Sequence, residues 1–237
     1  MIRYFYSINQ KIIEYQLGLQ LSLGRILMFH QVSDMKKNIL PGIYITYISF
    51  KKLMDKLLNL GHEIISLSDI KKKINLSDTS IALTFDDGYS DLYKYVAEYL
   101  FSKNVPFTIF ATTGLLNKTD YLTNEQLKDF SNNPLCTIGS HTVNHPILSQ
   151  INNIESMQEI KNSKCTLEDI ISKEIEYFAY PYGSHYAVSK RDIENVKKSG
   201  YSLAFGTINS FLSEKALKNK WFLPRINVSE QTFQRIE

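Results

Sequence analysis

Short apolar segments of strand length alternate with helical patterns along most of this chain, and this alternation limits the available folds more than any other feature. The apolar segments are continuous, which is typical of strands that are buried on both faces of a parallel sheet. Because helical patterns lie between several of them, the sequence predicts an α/β fold. The segments cover residues 25–30, 63–66, 81–85, 106–111, 136–139, 176–180, 201–205 and 222–228.

The helical patterns between these segments have recognisable ends. Ser49 is a plausible N-cap, and Thr123 with Gln126 forms a capping box. No linker-like stretch, charge block or internal repeat marks a domain boundary. We therefore predict a single (β/α) barrel of about seven parallel strands over residues 25–237, preceded by a helical extension over residues 1–24.

The composition lies close to the average of soluble globular proteins. The chain has 237 residues, of which 43% are hydrophobic, and a formal net charge of +3. These values argue against disorder, and the charge is too small to indicate a nucleic-acid partner. Cys136 and Cys165 form no CxxC motif, so we expect two buried thiols and neither a zinc knuckle nor a redox site. The 15 tyrosines suit either a carbohydrate site or ordinary core packing, and composition does not decide between them.

The N-terminal residues are apolar only in places, because charged residues such as Arg3, Lys11 and Glu14 interrupt them. They contain no apolar run with a small-residue cleavage site, so the sequence does not predict a secretory signal peptide. Residues 8–21 could form an amphipathic helix that packs on the domain or contacts a membrane surface. We predict a cytoplasmic protein, with peripheral membrane contact through this helix as the alternative.

Residues with catalytic potential follow several of the predicted strands. Barrel enzymes carry their chemistry on loops at the carboxyl ends of the strands, so residues at these positions should open onto one face. The residues at such positions are His30, Asp86, Asp87, His141, Pro181 and Tyr182.

Two adjacent carboxylates leave a buried apolar strand at Asp86 and Asp87, and Gly88 allows the backbone to turn after them. Neighbouring residues on an extended segment point in opposite directions. The pair therefore suits two roles, in which one carboxylate binds a cation and the other acts on water. The alternative is a helix-capping pair, because Asp caps the start of a helix well.

His141 and His145 are four residues apart, a spacing that can present two imidazoles to one transition metal. Pro146 disfavours a helical conformation at His145, so we expect a loop or a single turn. An HxxxH pair alone is a weak signal. With a carboxylate on the same face it predicts a site of two His and one Asp that leaves positions open for water and substrate, as in hydrolytic metal centres.

Three motifs resemble those of a known family: TFDDG at 84–88, HTVNHP at 141–146 and FAYPYG at 178–183. In this order they are similar to the polysaccharide deacetylases of carbohydrate esterase family 4, also called the NodB homology domain. The resemblance covers about residues 25–228. It implies a distorted (β/α) barrel and a divalent metal, usually zinc, with Co, Ni, Mn or Fe as alternatives.

The resemblance also implies roles for individual residues. Asp86 would be the general base, and the Tyr182 N–H, which follows Pro181, would help to hold the oxyanion. The Tyr182 ring would line the sugar groove. The metal would be bound by three ligands, which are Asp87, His141 and His145.

Two departures from the family pattern affect the predicted acid and base. Ala179 stands where many members have an Arg, and no His follows residue 185, although many members have a catalytic His near the C terminus. The ILMFHQV segment at 26–32 is similar to the first motif of a permuted branch, which includes deacetylases of biofilm poly-N-acetylglucosamine. His30 is therefore the candidate acid, with a structural His as the alternative.

Two further residues complete the predicted site. Arg225 lies in the last predicted strand, next to the first in a closed barrel, and we suggest that it replaces the missing Arg and orients Asp86. A rim Arg is the alternative. His185 follows the third motif and could contact substrate, whereas His62 begins a strand and should face the opposite end of the barrel.

The predicted activity is metal-dependent hydrolysis of N-acetyl groups on GlcNAc-type sugars of a polysaccharide, an oligosaccharide or a lipid-linked glycan. Two alternatives stay open at this point: a glycan O-acetyl esterase, and a non-catalytic glycan-binding protein built on the same barrel. Each of these requires a carbohydrate partner.

Overall fold

A computed structural model describes residues 22–33 and 42–234 of the chain. Its main sheet is parallel throughout and follows the order β10-β1-β5-β6-β7-β8-β9, with β4 paired to the first residues of β5. A separate parallel pair joins β2 to β3. The strands are β1 Arg25–Phe29, β2 Gln31–Ser33, β3 Tyr44–Thr46, β4 Glu63–Ile65, β5 Ser80–Asp87, β6 Phe107–Ala111, β7 Cys136–Ser140, β8 Tyr177–Ala179, β9 Leu203–Phe205 and β10 Ile226–Asn227.

The last strand segment connects the two ends of this order. Leu223 bridges Phe205 of β9, and Ile226 of β10 pairs with Leu27 of β1. The sheet therefore curls into a barrel, which confirms the predicted α/β fold with about seven parallel strands.

Both faces of the strands are apolar, which explains the continuous apolar runs in the sequence. All eight residues of β5 are buried. Ile81, Leu83 and Phe85 pack in the cluster between the sheet and the helices. Ala82 belongs to a second apolar cluster. This cluster contains alternate residues of the strands, whose side chains fill the barrel interior.

Helices follow most of the strands, and side chains cap the first turns of several of them. The predicted capping box at Thr123 and Gln126 is confirmed. The predicted N-cap at Ser49 is wrong, because Thr46 occupies that position and its hydroxyl accepts a hydrogen bond from the Ser49 N–H. The helices are α1 Tyr47–Asn59, α2 Leu67–Lys72, α3 Ala97–Ser102, α4 Asn124–Asn132, α5 Asn153–Ile171, α6 Lys190–Lys198, α7 Glu214–Lys218 and α8 Glu230–Gln234.

Two further predictions concern the cysteines and the N terminus. Cys136 is buried in β7, but Cys165 is exposed, so the expectation of two buried thiols is wrong for Cys165. It lies on the outer surface of α5, where a small apolar residue is tolerated. Residues 1–21 lie outside the described part of the chain, so the helical extension, its membrane contact and the cytoplasmic location stay predictions. Within the described ranges, no helix combines the length and the apolar character that a membrane-spanning segment needs.

Candidate active site

Strand β5 delivers the two aspartates to the carboxyl end of the barrel. Side chains alternate between the two faces of a strand, so Asp86 lies on the same face as Ala82 and Thr84 and points into the barrel interior. The backbone then changes direction, because Asp87 and Gly88 have φ values of 70° and 83°. Such a conformation is unfavourable for a non-glycine residue and is found mainly where the surrounding structure enforces it.

Asp86 forms a buried ion pair with Arg225, which lies immediately before β10. The Arg225 Nη1 and Nη2 atoms donate to the two carboxylate oxygens of Asp86, both at 2.7 Å. Arg225 also donates to the Gly206 carbonyl at 3.0 Å and to the Thr84 hydroxyl at 3.2 Å, so the guanidinium is well oriented. Burial opposes the ionisation of Asp86, but the charge and hydrogen bonds of Arg225 together with the nearby His141 and His30 outweigh it, and the pKa of Asp86 falls to about 2.

Asp87, His141 and His145 converge on one point. The Asp87 Oδ1 atom lies 3.5 Å from His141 Nε2 and 3.4 Å from His145 Nε2, and the candidate ligand atoms all lie within 4.8 Å of one another. Ligand atoms about 2.1 Å from one tetrahedral ion would be separated by roughly 3.4 Å. Asp87 Oδ1 is also buried and has no hydrogen-bond partner among the described residues. The three residues therefore fit a divalent metal.

The protonation states of these residues also suit metal binding. The His141 Nδ1 atom lies 2.7 Å from the Ala179 carbonyl oxygen, so Nδ1–H is the donor and Nε2 keeps its lone pair. Burial lowers the pKa of His141 to about 3 and also lowers the pKa of His145. Burial raises the pKa of Asp87 to about 6, although the charge of His30 opposes this rise. A cation at this point would supply the charge that a buried carboxylate needs.

The two histidines lie on a loop after β7, as the sequence predicts. The loop has no helical turn, and Thr142 and His145 have φ values of 67° and 57°. Glu159 of α5 accepts hydrogen bonds from this loop, and no motif in the sequence marks it as a site residue. Glu159 differs from the other acidic residues of α5 by this tertiary contact with the loop, and no local pattern in the sequence encodes such a contact.

The other residues of the predicted site lie at different distances from the point where Asp87, His141 and His145 converge. The Tyr182 ring packs on His145 with a centroid separation of 4.9 Å, and 56% of Tyr182 is exposed. Within the described chain, no group accepts a hydrogen bond from the Tyr182 N–H. Pro181, which precedes it, is buried. His185 is exposed and packs on Phe222, and no described contact links it to the two aspartates or the two histidines above.

His30 follows β1 at the same level as Asp86. Phe29 pairs with Phe85 across β1 and β5, so His30 comes one residue beyond this pair, beside Asp86. A positive charge on this ring would favour the ionised forms of both Asp86 and Asp87. Its Nδ1 atom is buried and lacks a hydrogen-bond partner in the described ranges.

The fold and the site together define a class of protein. It is a parallel α/β barrel with a His–His–carboxylate cluster at the carboxyl ends of the strands, beside a buried Asp–Arg pair. Residues 73–204 match the family model described as polysaccharide deacetylase, which covers more than half of the chain. The chain therefore belongs to the polysaccharide deacetylase family.

Relatives of known sequence and structure agree with this assignment. The chain is 24% identical over 186 residues to the Bacillus subtilis protein YxkH, whose name places it among polysaccharide deacetylases. This match covers 77% of the chain but only 63% of YxkH, so the chain spans less than two thirds of that relative.

Two solved structures share the fold at low sequence identity. The Streptococcus pyogenes deacetylase PplD in complex with acetate has a TM-score of 0.77 and 23% identity, with 91% of this chain and 98% of PplD covered. IcaB from Ammonifex degensii has a TM-score of 0.79 and 19% identity, with 92% of this chain and 97% of IcaB covered. Both matches extend over nearly the whole described barrel.

Proposed function

We propose that this protein is a metal-dependent carbohydrate deacetylase that removes N-acetyl groups from GlcNAc-type sugars of a polysaccharide, an oligosaccharide or a lipid-linked glycan. One observation carries the proposal: Asp87, His141 and His145 converge beside the ionised Asp86 at the mouth of the barrel. Membership of the polysaccharide deacetylase family supports it. The acetate complex of PplD, a deacetylase of the same fold, is consistent with acetate as the product.

Asp87, His141 and His145 would hold the metal, with zinc as the first candidate because a carboxylate and two imidazoles suit it. A divalent ion bound there supplies polarisation of an acetyl carbonyl and activation of water. The neutral imidazoles and the buried carboxylate oxygen described above are the groups that such an ion requires.

Asp86 would act as the general base of the reaction. Arg225 holds both of its oxygens and keeps it ionised, so it can take a proton at any pH near neutrality. Because its pKa is about 2, Asp86 would pass this proton on instead of retaining it. Its Oδ2 atom lies 4.0 Å from His141 Nε2, and this proximity to a proposed metal ligand supports the role.

Tyr182 and His30 would complete the reaction. The Tyr182 N–H, which has no acceptor in the described chain, would donate to the developing oxyanion. His30 would donate a proton to the leaving amine, and its position beside Asp86 supports this role. Hydrolysis then yields acetate and a free amino sugar.

Two substitutions test the proposal by separating catalysis from metal binding. In Asp86→Asn, kcat for acetate release from an N-acetylated oligosaccharide should fall on the order of 100- to 10,000-fold, because the base is lost. The metal content should be retained. In His141→Ala, both activity and bound metal should be lost. Near-native acetate release by Asp86→Asn would contradict the proposal.

The bond that is cleaved can be identified from the product. N-deacetylation exposes a new primary amine for each acetate released, whereas O-deacetylation releases acetate without one. Mass spectrometry combined with amine labelling therefore distinguishes the two reactions. If the metal-loaded protein removes no acetyl group from any N-acetylated oligosaccharide or lipid-linked sugar, the non-catalytic alternative replaces the enzyme.

A further inference from the structure

The loop that carries the two histidines has an unfavourable backbone and needs external support. Thr142 and His145 both have positive φ values, 67° and 57°, and Thr142 is β-branched, which makes this conformation costly. Such residues persist only where surrounding contacts enforce the conformation. The contacts that enforce it therefore determine where His145 lies.

Glu159 of α5 makes three of these contacts with its carboxylate. Its Oε2 atom accepts hydrogen bonds from the N–H groups of Val143 and Asn144 at 2.9 and 2.8 Å. Its Oε1 atom accepts from the Asn144 side-chain amide at 2.7 Å. Hydrogen bonds to a charged acceptor are stronger than neutral ones, and two consecutive peptide N–H groups on one oxygen leave the loop little freedom.

The opposite side of the loop is held by the turn after β6. The carbonyl groups of Thr142 and Val143 accept hydrogen bonds from Thr113 N–H at 3.1 Å and Gly114 N–H at 2.8 Å. A Cβ atom at Gly114 would lie 2.5 Å from the Val143 carbonyl oxygen, so the two backbones are in close contact. The loop is therefore clamped between Glu159 and this turn.

The two histidines depend on this clamp to different extents. His141 directly follows β7, its N–H donates to the Ala111 carbonyl at 3.0 Å, and its ring is fixed by the Ala179 carbonyl. His145 comes after the clamped peptides, and its N–H is bound within the loop, to the Thr142 hydroxyl at 3.0 Å. Loss of the clamp should therefore displace His145 more than His141.

We propose that Glu159 is a positioning residue that fixes His145 and thereby sets the affinity of the site for divalent ions. This inference rests on the metal site of the proposed function. The hydrogen bonds of Glu159 reach two peptide N–H groups and the Asn144 side chain of the loop, and none of those described for it reaches the side chains of the three proposed ligands. Its effect is transmitted through the backbone, as for residues that orient metal ligands elsewhere.

The test measures binding of Zn²⁺ and Co²⁺ to full-length variants by competition with a chromogenic chelator, with the absorption spectrum of the Co²⁺ protein as a second readout. Glu159→Ala removes all three acceptors, and Glu159→Asp is one methylene too short to reach the loop. Both should bind metal more weakly, on the order of 10- to 100-fold, and show an altered Co²⁺ spectrum.

Glu159→Gln is the conservative variant that separates positioning from charge. The Gln oxygen can accept from the two peptide N–H groups, while its amide donates to the Asn144 side-chain oxygen after that amide turns over. We expect near-native affinity and a native Co²⁺ spectrum. Asp169→Ala is the matched control, because it removes an exposed carboxylate from the same helix and should change neither readout.

Several outcomes would overturn the proposal. Native affinity in Glu159→Ala, or in Glu159→Asp if the Ala variant does not fold, would show that Glu159 does not position the ligand. An equal loss in Asp169→Ala would show that the effect is not specific. A lower thermal midpoint of the metal-free variants with unchanged affinity would indicate a purely structural role. If the wild-type protein bound neither ion, the metal site itself would be wrong.

Discussion

Asp86 and Asp87 are neighbours in the sequence, but their environments have opposite effects on their ionisation. Burial opposes the charge of both side chains. At Asp86 the contact with Arg225, together with the nearby His141 and His30, reverses this effect and lowers the pKa to about 2, whereas at Asp87 burial prevails and raises the pKa to about 6. One carboxylate is thus paired with a guanidinium, and the other faces the two imidazoles of His141 and His145. The two roles proposed for the DDG motif follow from this difference.

Replacing Arg225 tests how far the ionised state of Asp86 depends on its partner. In Arg225→Met the Asp86 carboxylate stays buried without a counter-charge. Removing one partner of a buried ion pair lowers the free energy of unfolding by about 3–5 kcal/mol. Urea denaturation at pH 7 should show this loss in the free energy of unfolding. The double variant Asp86→Asn/Arg225→Met has no buried charge at these two positions and should recover most of the lost stability. A double variant as unstable as Arg225→Met would contradict this explanation.

Most residues of the candidate site could be selected from the sequence, because each directly follows an apolar strand. The rule that strand ends meet at one face applies to Asp86, Asp87 and His141 without any knowledge of their contacts. Glu159 could not be selected in this way. It lies in an amphipathic helix with several other acidic residues, and only the packing of α5 against the loop distinguishes it.

At the level of elements, a buried carboxylate joins α5 to α6. Asp192 is fully buried in the first turn of α6. It accepts hydrogen bonds from the Ser156 hydroxyl of α5 at 2.7 Å and from the N–H and hydroxyl of Ser189 at 2.8 and 2.7 Å. The Arg191 guanidinium adds two more contacts. Burial opposes ionisation, but these donors outweigh it and lower the pKa of Asp192.

The stability that Asp192 provides by joining α5 to α6 should depend on pH. A carboxyl group whose pKa is lower in the folded state stabilises the fold above its unfolded pKa, about 3.9, and this stabilisation is lost as the pH falls below that value. Asp192→Asn should therefore reduce the free energy of unfolding by about 1.5–3 kcal/mol at pH 7. The difference from wild type should decrease between pH 5 and about pH 3. Urea denaturation of both proteins across this range measures it, and a difference that did not change with pH would exclude Asp192 as the cause.

The order and type of the main elements could be predicted because long apolar runs and helix caps are local signals. The short pair β2 and β3 could not, since three residues are too few to show a periodicity. The predicted strand over residues 222–228 was also too long. Arg225 interrupts it, because its side chain turns inward to Asp86 and its N–H donates to the Ile208 carbonyl instead of a neighbouring strand.

At the scale of the whole molecule, the proposed metal ligands are separate from the apolar core, whereas Asp86 and Arg225 lie buried in the barrel interior. The barrel interior and the layer between sheet and helices are filled by apolar side chains. The proposed metal ligands lie at the carboxyl ends of β5 and β7, above this core. Among the residues that the structure describes, the buried charges of the site are Asp86 with Arg225, which pair with each other, and Asp87, whose charge a bound cation would neutralise. The fold should therefore form without metal, and metal should add stability without changing the architecture.

Metal removal tests this separation. After chelation the far-UV circular dichroism spectrum should be unchanged, because the barrel core does not involve the ligands. Metal at 100 times its dissociation constant adds about 2.7 kcal/mol, which for a chain of this size raises the thermal midpoint by roughly 5–10 °C. The Asp87→Ala variant should show a much smaller shift, because it lacks the carboxylate that both imidazoles face. An equal shift in that variant would place the ion elsewhere, and loss of the circular dichroism signal on chelation would show that the metal is part of the fold.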